Sequence, residues 1–210
     1  MSFPADPARP LVADASVVIN LNATLCAMKI IVSVPNRLHV TENARVELQG
    51  GIRNGHRDAE KLDELIKAGA VQIVELCPDG LAIYESLIEG PREATLDDGE
   101  AATIACAYER KGIAIIDERK ARSLCSARFP DLTIVSSAEL LMSDDVAKTL
   151  GRDVQIAAIV NALREGRMRV PLEHVGAVVT LIGEEHALSC PSLPKSVRRG
   201  PVASAAKDRR

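Results

Sequence analysis

Aromatic side chains are scarce in this 210-residue chain: two Phe, two Tyr and no Trp, 2% in all. Base stacking on aromatic platforms is therefore not expected to dominate any contact with nucleic acid. Paired cysteine motifs are missing too. Cys26, Cys77, Cys106, Cys125 and Cys190 are odd in number and scattered without a Cys-x-x-Cys, which supports neither a disulfide framework nor structural zinc. His186 and Cys190 have helical spacing but no further ligands, so the cysteines read as small buried residues in a reducing cytoplasm. There is no basic excess, since the net charge is -3. A broad phosphate-binding surface usually shows as a basic domain, so any nucleic-acid contact must be local or carried by metal ions. No phosphate-cradling Gly-Lys-Ser/Thr loop occurs, Gly50-Gly-Ile-Arg-Asn-Gly55 lacks a dinucleotide fingerprint, and His39, His56, His174 and His186 suggest no Ser-His-Asp order. The apolar stretch 11–34 is broken by Asp14, Asn20, Asn22 and Lys29 and is followed by Pro35, so strand, helix, strand is the cheaper reading than a membrane anchor.

What the chain does have is 47% apolar content, enough for one sizeable core with additions. Continuous apolar runs at 11–14 and 113–117 read as central strands covered on both faces, with further strands expected at 30–34, 71–76 and 132–135. Helical patterns lie between them, near 16–26, 42–50, 57–68, 79–89, 98–111 and 119–127. This alternation implies an α/β fold of three layers, α/β/α, around a mostly parallel sheet. From about 137 the pattern is all-helical (137–142, 144–150, 153–165, 171–183). The expected organisation is a domain over 1–140 and a helical extension over 141–188 packed on it or on a second subunit. The final segment, 189–210, holds three prolines and a net charge of +5, leaving -8 for the rest. It reads as a disordered tail without core contacts, whose removal should change stability by less than about 1 kcal/mol.

Four acids carry the chemistry. Asp14 ends the first apolar run, and Ser16 follows at a distance suited to capping the next helix or bonding a carboxylate. Asp117 and Glu118 end the run at 113–117, and Asp117 is favoured as the residue continuous with the strand. Glu100 lies near the start of a helix expected to be capped by Asp97 and closed by Gly112. It heads an apolar stripe with Ile104 and Tyr108, while Asp97 and Asp98 already serve the helix dipole. Glu47 shares a helix face with Ala44, Leu48 and Gly51. Carboxylates at the C-terminal ends of parallel strands converge where such sheets bind ligands, and they repel one another unless a cation lies among them.

At these residues the chain resembles the PIN-domain ribonucleases. The matching pieces are Asp-x-Ser after the first strand, Val-x-x-x-Arg-Val-Glu-Leu on an early helix, Gly-Glu-Ala opening a later one, and Ile-Ile-Asp-Glu-Arg-x-Ala-Arg at the fourth strand and its exit. They span roughly 11–140, and a helical extension to about 185 is similar to that of one bacterial and archaeal branch. Ser136-Ser-Ala-Glu-Leu departs from that branch, where a Gly-containing turn is common.

The resemblance implies an endoribonuclease dependent on Mg²⁺ or Mn²⁺, often the VapC-type toxin of a toxin-antitoxin pair. Asp14, Glu47, Glu100 and Asp117 would form the acidic cluster, with Ser16, Asp98 and Glu118 as accessories. RNA, an antitoxin protein and a second copy of the chain are the partners it brings into view. Phosphodiester cleavage suits such a cluster independently of the name, because Mg²⁺ takes hard oxygen ligands and stabilises the charge on attacking and leaving oxygens. Arg45, Arg53, Arg57, Arg119, Lys120 and Arg122 lie near the acids in sequence and are candidates for phosphate contacts. The rival reading is a non-catalytic protein of the same fold that keeps the pocket as a structural or regulatory cation site. Aspartate-nucleophile phosphatases are more distant, since Ser16 stands where they carry a second Asp.

Overall fold

The structure is a computed structural model, and residues 3–198 are described. Five strands form one sheet: β1 (Leu11–Ala13), β2 (Leu38–Thr41), β3 (Val71–Val74), β4 (Ile113–Ile115) and β5 (Thr133–Val135). All neighbours are parallel, in the order β3-β2-β1-β4-β5. Between the strands run α1 (Ala15–Ala23), α2 (Ala27–Ile31), α3 (Glu42–Gly51), α4 (Asp58–Lys67), α5 (Pro78–Ile88), α6 (Asp98–Glu109) and α7 (Arg119–Arg128). After β5 come α8 (Ser137–Leu141), α9 (Asp144–Leu150), α10 (Arg152–Arg164), α11 (Leu172–Ile182), α12 (Glu184–Leu188) and α13 (Lys195–Arg198).

Strand alternation sorts the core into two halves. Leu11, Ala13, Ile113 and Ile115 enter the larger half with residues of α1, α3, α4 and α8–α12. Val12, Ala114 and Ile116 enter the smaller half with residues of α5, α6 and α7. The result is the three-layer α/β/α arrangement expected, with every strand pair parallel. The C-terminal helices pack on the same molecule, α10 lying against α1.

Two expectations fail. The run 30–34 is no strand: Ile30 and Ile31 end α2, Val32 is 62% exposed, and the second strand is Leu38–Thr41 instead. A short apolar run does not distinguish a buried helical turn from a strand. The true strand was hidden by its polar residues, for His39 and Thr41 are buried beside β1 and β3. The second failure is the boundary at 189. Cys190 and Leu193 are 0% and 1% exposed and belong to the larger core, and the Ser192 hydroxyl donates to the Leu163 carbonyl at 2.9 Å. Residues 189–198 are thus packed chain, while 199–210 of the expected tail lie outside the described residues.

The end of α6 shows how closely the sheet constrains its connections. Gly112 was expected to supply the left-handed residue there, but Lys111 does so, with φ 51°. The Lys111 N–H donates to Tyr108 and the Gly112 N–H to Ala107, the paired bonds of a Schellman motif. Gly112 is required for space instead: a Cβ there would lie 2.7 Å from the Pro10 carbonyl oxygen and 3.2 Å from the Pro10 ring. That same carbonyl accepts from the Ile113 N–H where β4 meets β1. Gly112→Ala should therefore destabilise the protein by roughly 1–3 kcal/mol, measured as a lower urea midpoint with unchanged m-value. Among the described residues, no helix is long and apolar enough to cross a membrane.

Candidate active site

The strand order reverses between β1 and β4: successive strands step from β1 to β2 and β3, and the chain then returns to β4 on the other side of β1. Helices leaving the C-terminal ends of these two neighbours diverge to opposite layers, which opens the crevice where ligands bind in such sheets. Asp14 stands immediately beyond β1 and Asp117 two residues beyond β4. They line one pocket of about 300 Å³ together with Glu47 from α3 and Glu100 from α6. Ser16, Asn20, Asp97 and Glu118 line it too, and Gly166, Arg167 and Arg169 complete it from the connection between α10 and α11.

Asp14 is 4% exposed and caps α1: its Oδ1 accepts from the Val17 N–H and from the Ser16 hydroxyl, each at 2.8 Å. Both contacts fall on one oxygen. Asp117 is 6% exposed, with Oδ2 accepting from the Asn20 amide at 2.8 Å and Oδ1 from the Ser137 N–H at 2.7 Å. The Ser136 segment that departs from the resembling branch provides that last donor. Ser136 caps α8 in a capping box with Glu139, and the next N–H turns to Asp117.

Glu47 sits beside the first turn of α6. A Cβ on Gly99 would lie 2.6 Å from Glu47 Oε2, so the absence of a side chain there makes room for the carboxylate. Ala44 and Leu48 on its helix face are buried, while Glu47 itself is exposed. Glu100 is half-buried above Ile104; Tyr108, further along the expected stripe, is exposed. Asp97 precedes α6 as expected, though its side chain makes no capping bond.

All four carboxyls are held above their ordinary range. Desolvation is the largest cause for each, and the charge of Asp14 pushes up Glu47, Glu100 and Asp117 in addition. Glu100 and Asp117 reach about 7. Among the described residues, none of the four forms an ion pair. Glu118, by contrast, is paired with Arg169.

A pH dependence follows for the metal-free protein. An acid raised in the folded state keeps its proton there while the unfolded chain ionises, so stability falls as pH rises from about 4.5 to about 7 for Glu100. Glu100→Gln removes that contribution. In EDTA, the melting temperature of the variant relative to wild type should rise between pH 5 and pH 8, and a constant difference would contradict the electrostatics described.

Other expected site residues lie elsewhere. Asp98 does not line the pocket; its carboxylate accepts from the Tyr84 hydroxyl and from the Asn43 amide. None of the expected phosphate-binding cations lines it either. Arg45 pairs with Glu42 and Asp63, Arg57 with Glu60, and Arg122 with Glu139 and Glu173. Lys120 donates to the Arg92 carbonyl, and Arg53 and Arg119 are exposed outside the pocket.

Sequence reasoning also missed residues. Asn20 lies one helical turn after Ser16, and that spacing could have revealed it. Arg167 and Arg169 follow no strand and carried no comparable signal.

The family model DUF3368, a PIN domain, matches residues 10–184. The chain belongs to the PIN-domain family. Comparison with curated proteins and with solved structures gives no match. The matched span includes α10, α11 and their connection, so the segment that completes the pocket is part of the family's unit. PIN domains are generally nucleases and typically use divalent metal ions, so membership gives the chain a nuclease-type function.

Proposed function

We propose that this PIN domain is an endoribonuclease that hydrolyses RNA with Mg²⁺ or Mn²⁺ held by Asp14, Glu47, Glu100 and Asp117. One observation supports it above the others: four carboxylates from four separate elements share a pocket, and among the described residues no ion pair neutralises any of them. Two of them are almost fully buried. Such an arrangement is costly by itself and becomes favourable around a cation. Among the described residues, no three His, Cys, Asp or Glu side chains are placed to hold an ion directly. The four carboxylates would therefore hold Mg²⁺ partly through water, which it commonly keeps in its coordination shell. When bound, the ions would stabilise negative charge on the attacking and leaving oxygens and make a water acidic enough to attack.

The chain's own groups prepare the pocket for that role. Val17 and Ser16 fix the carboxylate of Asp14, and Asn20 and Ser137 fix Asp117. These donors hold the two strand-end acids at the pocket, and charge fixed in place in advance is one way a site lowers a barrier. A toxin role beside an antitoxin is the finer form of the same proposal, and growth arrest on expressing wild type but not Glu100→Gln would support it.

The deciding experiment is cleavage of defined single-stranded and structured RNAs by the purified chain. Cleavage should require Mg²⁺ or Mn²⁺ and stop in EDTA. Metal binding without cleavage of any RNA would replace the proposal with the non-catalytic reading.

A further inference from the structure

Among the described residues, the acidic pocket has cations for a phosphate on one loop alone. A nucleic-acid strand brings a negative charge with every nucleotide to four carboxylates, and among the described residues the only Lys or Arg side chains lining the pocket are Arg167 and Arg169. Arg169 is occupied by Glu118. Arg167 is exposed, and no hydrogen bond or ion pair engages it among the described residues.

The loop is held where those side chains must be. Met168 is 1% exposed in the larger core, and its N–H returns to the Ala162 carbonyl. A Cβ on Gly166 would meet Asn20 Oδ1 at 2.8 Å and the Ala162 carbonyl oxygen at 2.9 Å, so the backbone is pressed against the residue that holds Asp117. Between these anchors Arg167 takes a left-handed conformation, φ 53°. That region favours glycine because a Cβ crowds the backbone there, yet glycine stands one position earlier. A non-glycine residue kept there against backbone preference is a reason to look for work done by its side chain.

We propose that Arg167 is a substrate-binding residue, its guanidinium donating to non-bridging phosphate oxygens of a nucleic-acid strand lying across the acidic pocket. Arg169 is engaged differently, by its pairing with Glu118. This assignment rests on the nuclease reading, and it places a part of the active site on the connection between α10 and α11.

Arg167→Ala, Arg167→Lys and Arg167→Gly can be compared with wild type for metal-dependent cleavage of a single-stranded RNA, and for RNA binding by anisotropy across a salt series. The Ala variant should raise KM about tenfold with a smaller change in kcat, and reduce the slope of log K against log salt by about one. The Lys variant should recover part of the loss. The Gly variant should bind as weakly as Ala while melting no lower than wild type, because glycine suits the local backbone. A purely structural arginine would lose stability and leave KM and the salt slope unchanged, and that result overturns the assignment. If wild type cleaves and all three variants match it, the assignment falls while the nuclease reading stands. RNA bound but not cleaved, with binding weakened in Arg167→Ala, keeps the assignment and removes the nuclease reading; neither cleavage nor RNA binding by wild type removes both.

Discussion

Asp14→Asn and Glu100→Gln will each lower metal-dependent RNA cleavage by about 10²-fold or more while leaving the fold intact. The two changes probe different things. Asn is as good a helix cap as Asp, so the Val17 N–H and the Ser16 hydroxyl that now serve Asp14 Oδ1 keep an acceptor. What the variant loses is charge, at the one acid that raises the other three. Gln at position 100 keeps the length of the side chain at the head of α6 and likewise removes only charge. Circular dichroism and the cooperativity of melting should match wild type in both. Activity retained in both variants would indicate a contaminating nuclease or a site outside this pocket, and activity retained in one alone would remove that acid from the catalytic set. Ser16→Ala should have a milder effect, about tenfold, because it removes a group that orients Asp14 rather than the acid itself.

The second large effect concerns stability. A chain ending at residue 188 should be less stable than one ending at residue 198 by about 3 kcal/mol, lowering the melting temperature by roughly 6–12 °C. Leu193 and Cys190 are fully enclosed, and Ser192 satisfies the Leu163 carbonyl near the end of α10. Their removal would strip apolar cover from the larger core and leave that carbonyl without its hydroxyl donor. Equal melting temperatures for the two chains would mean that this segment contributes no net packing energy.

Legibility from sequence followed physical contrast. The strands carrying Asp14 and Asp117 stood out because they are covered on both faces, so the uninterrupted apolar runs end abruptly on acids. Helix α6 was visible from Asp97 and Gly112, although the glycine turned out to relieve crowding rather than to supply the left-handed turn. Strand β2 was not visible, because His39 and Thr41 are polar residues inside the sheet and the more apolar run before it is helical. The segment after 188 misled for a related reason. Its prolines and charges outweigh two buried side chains, and composition averages over a stretch where packing depends on individual positions. Nearby cations in sequence were a poor guide to the pocket, since surface arginines such as Arg45 and Arg57 find carboxylates on their own or adjoining helices first.

The first strand lies at the centre of the sheet and bonds directly to residues 113–115, a hundred positions later in the chain. During synthesis the amino-terminal third cannot bury both faces of that strand, and Asp14 has no counterpart across the crevice until the segment bearing Asp117 has emerged. Folding must therefore wait for distant pairing, which slows it and prolongs exposure of unpaired edges. The same delay means that a growing chain cannot assemble its acidic pocket while most of it is still unmade.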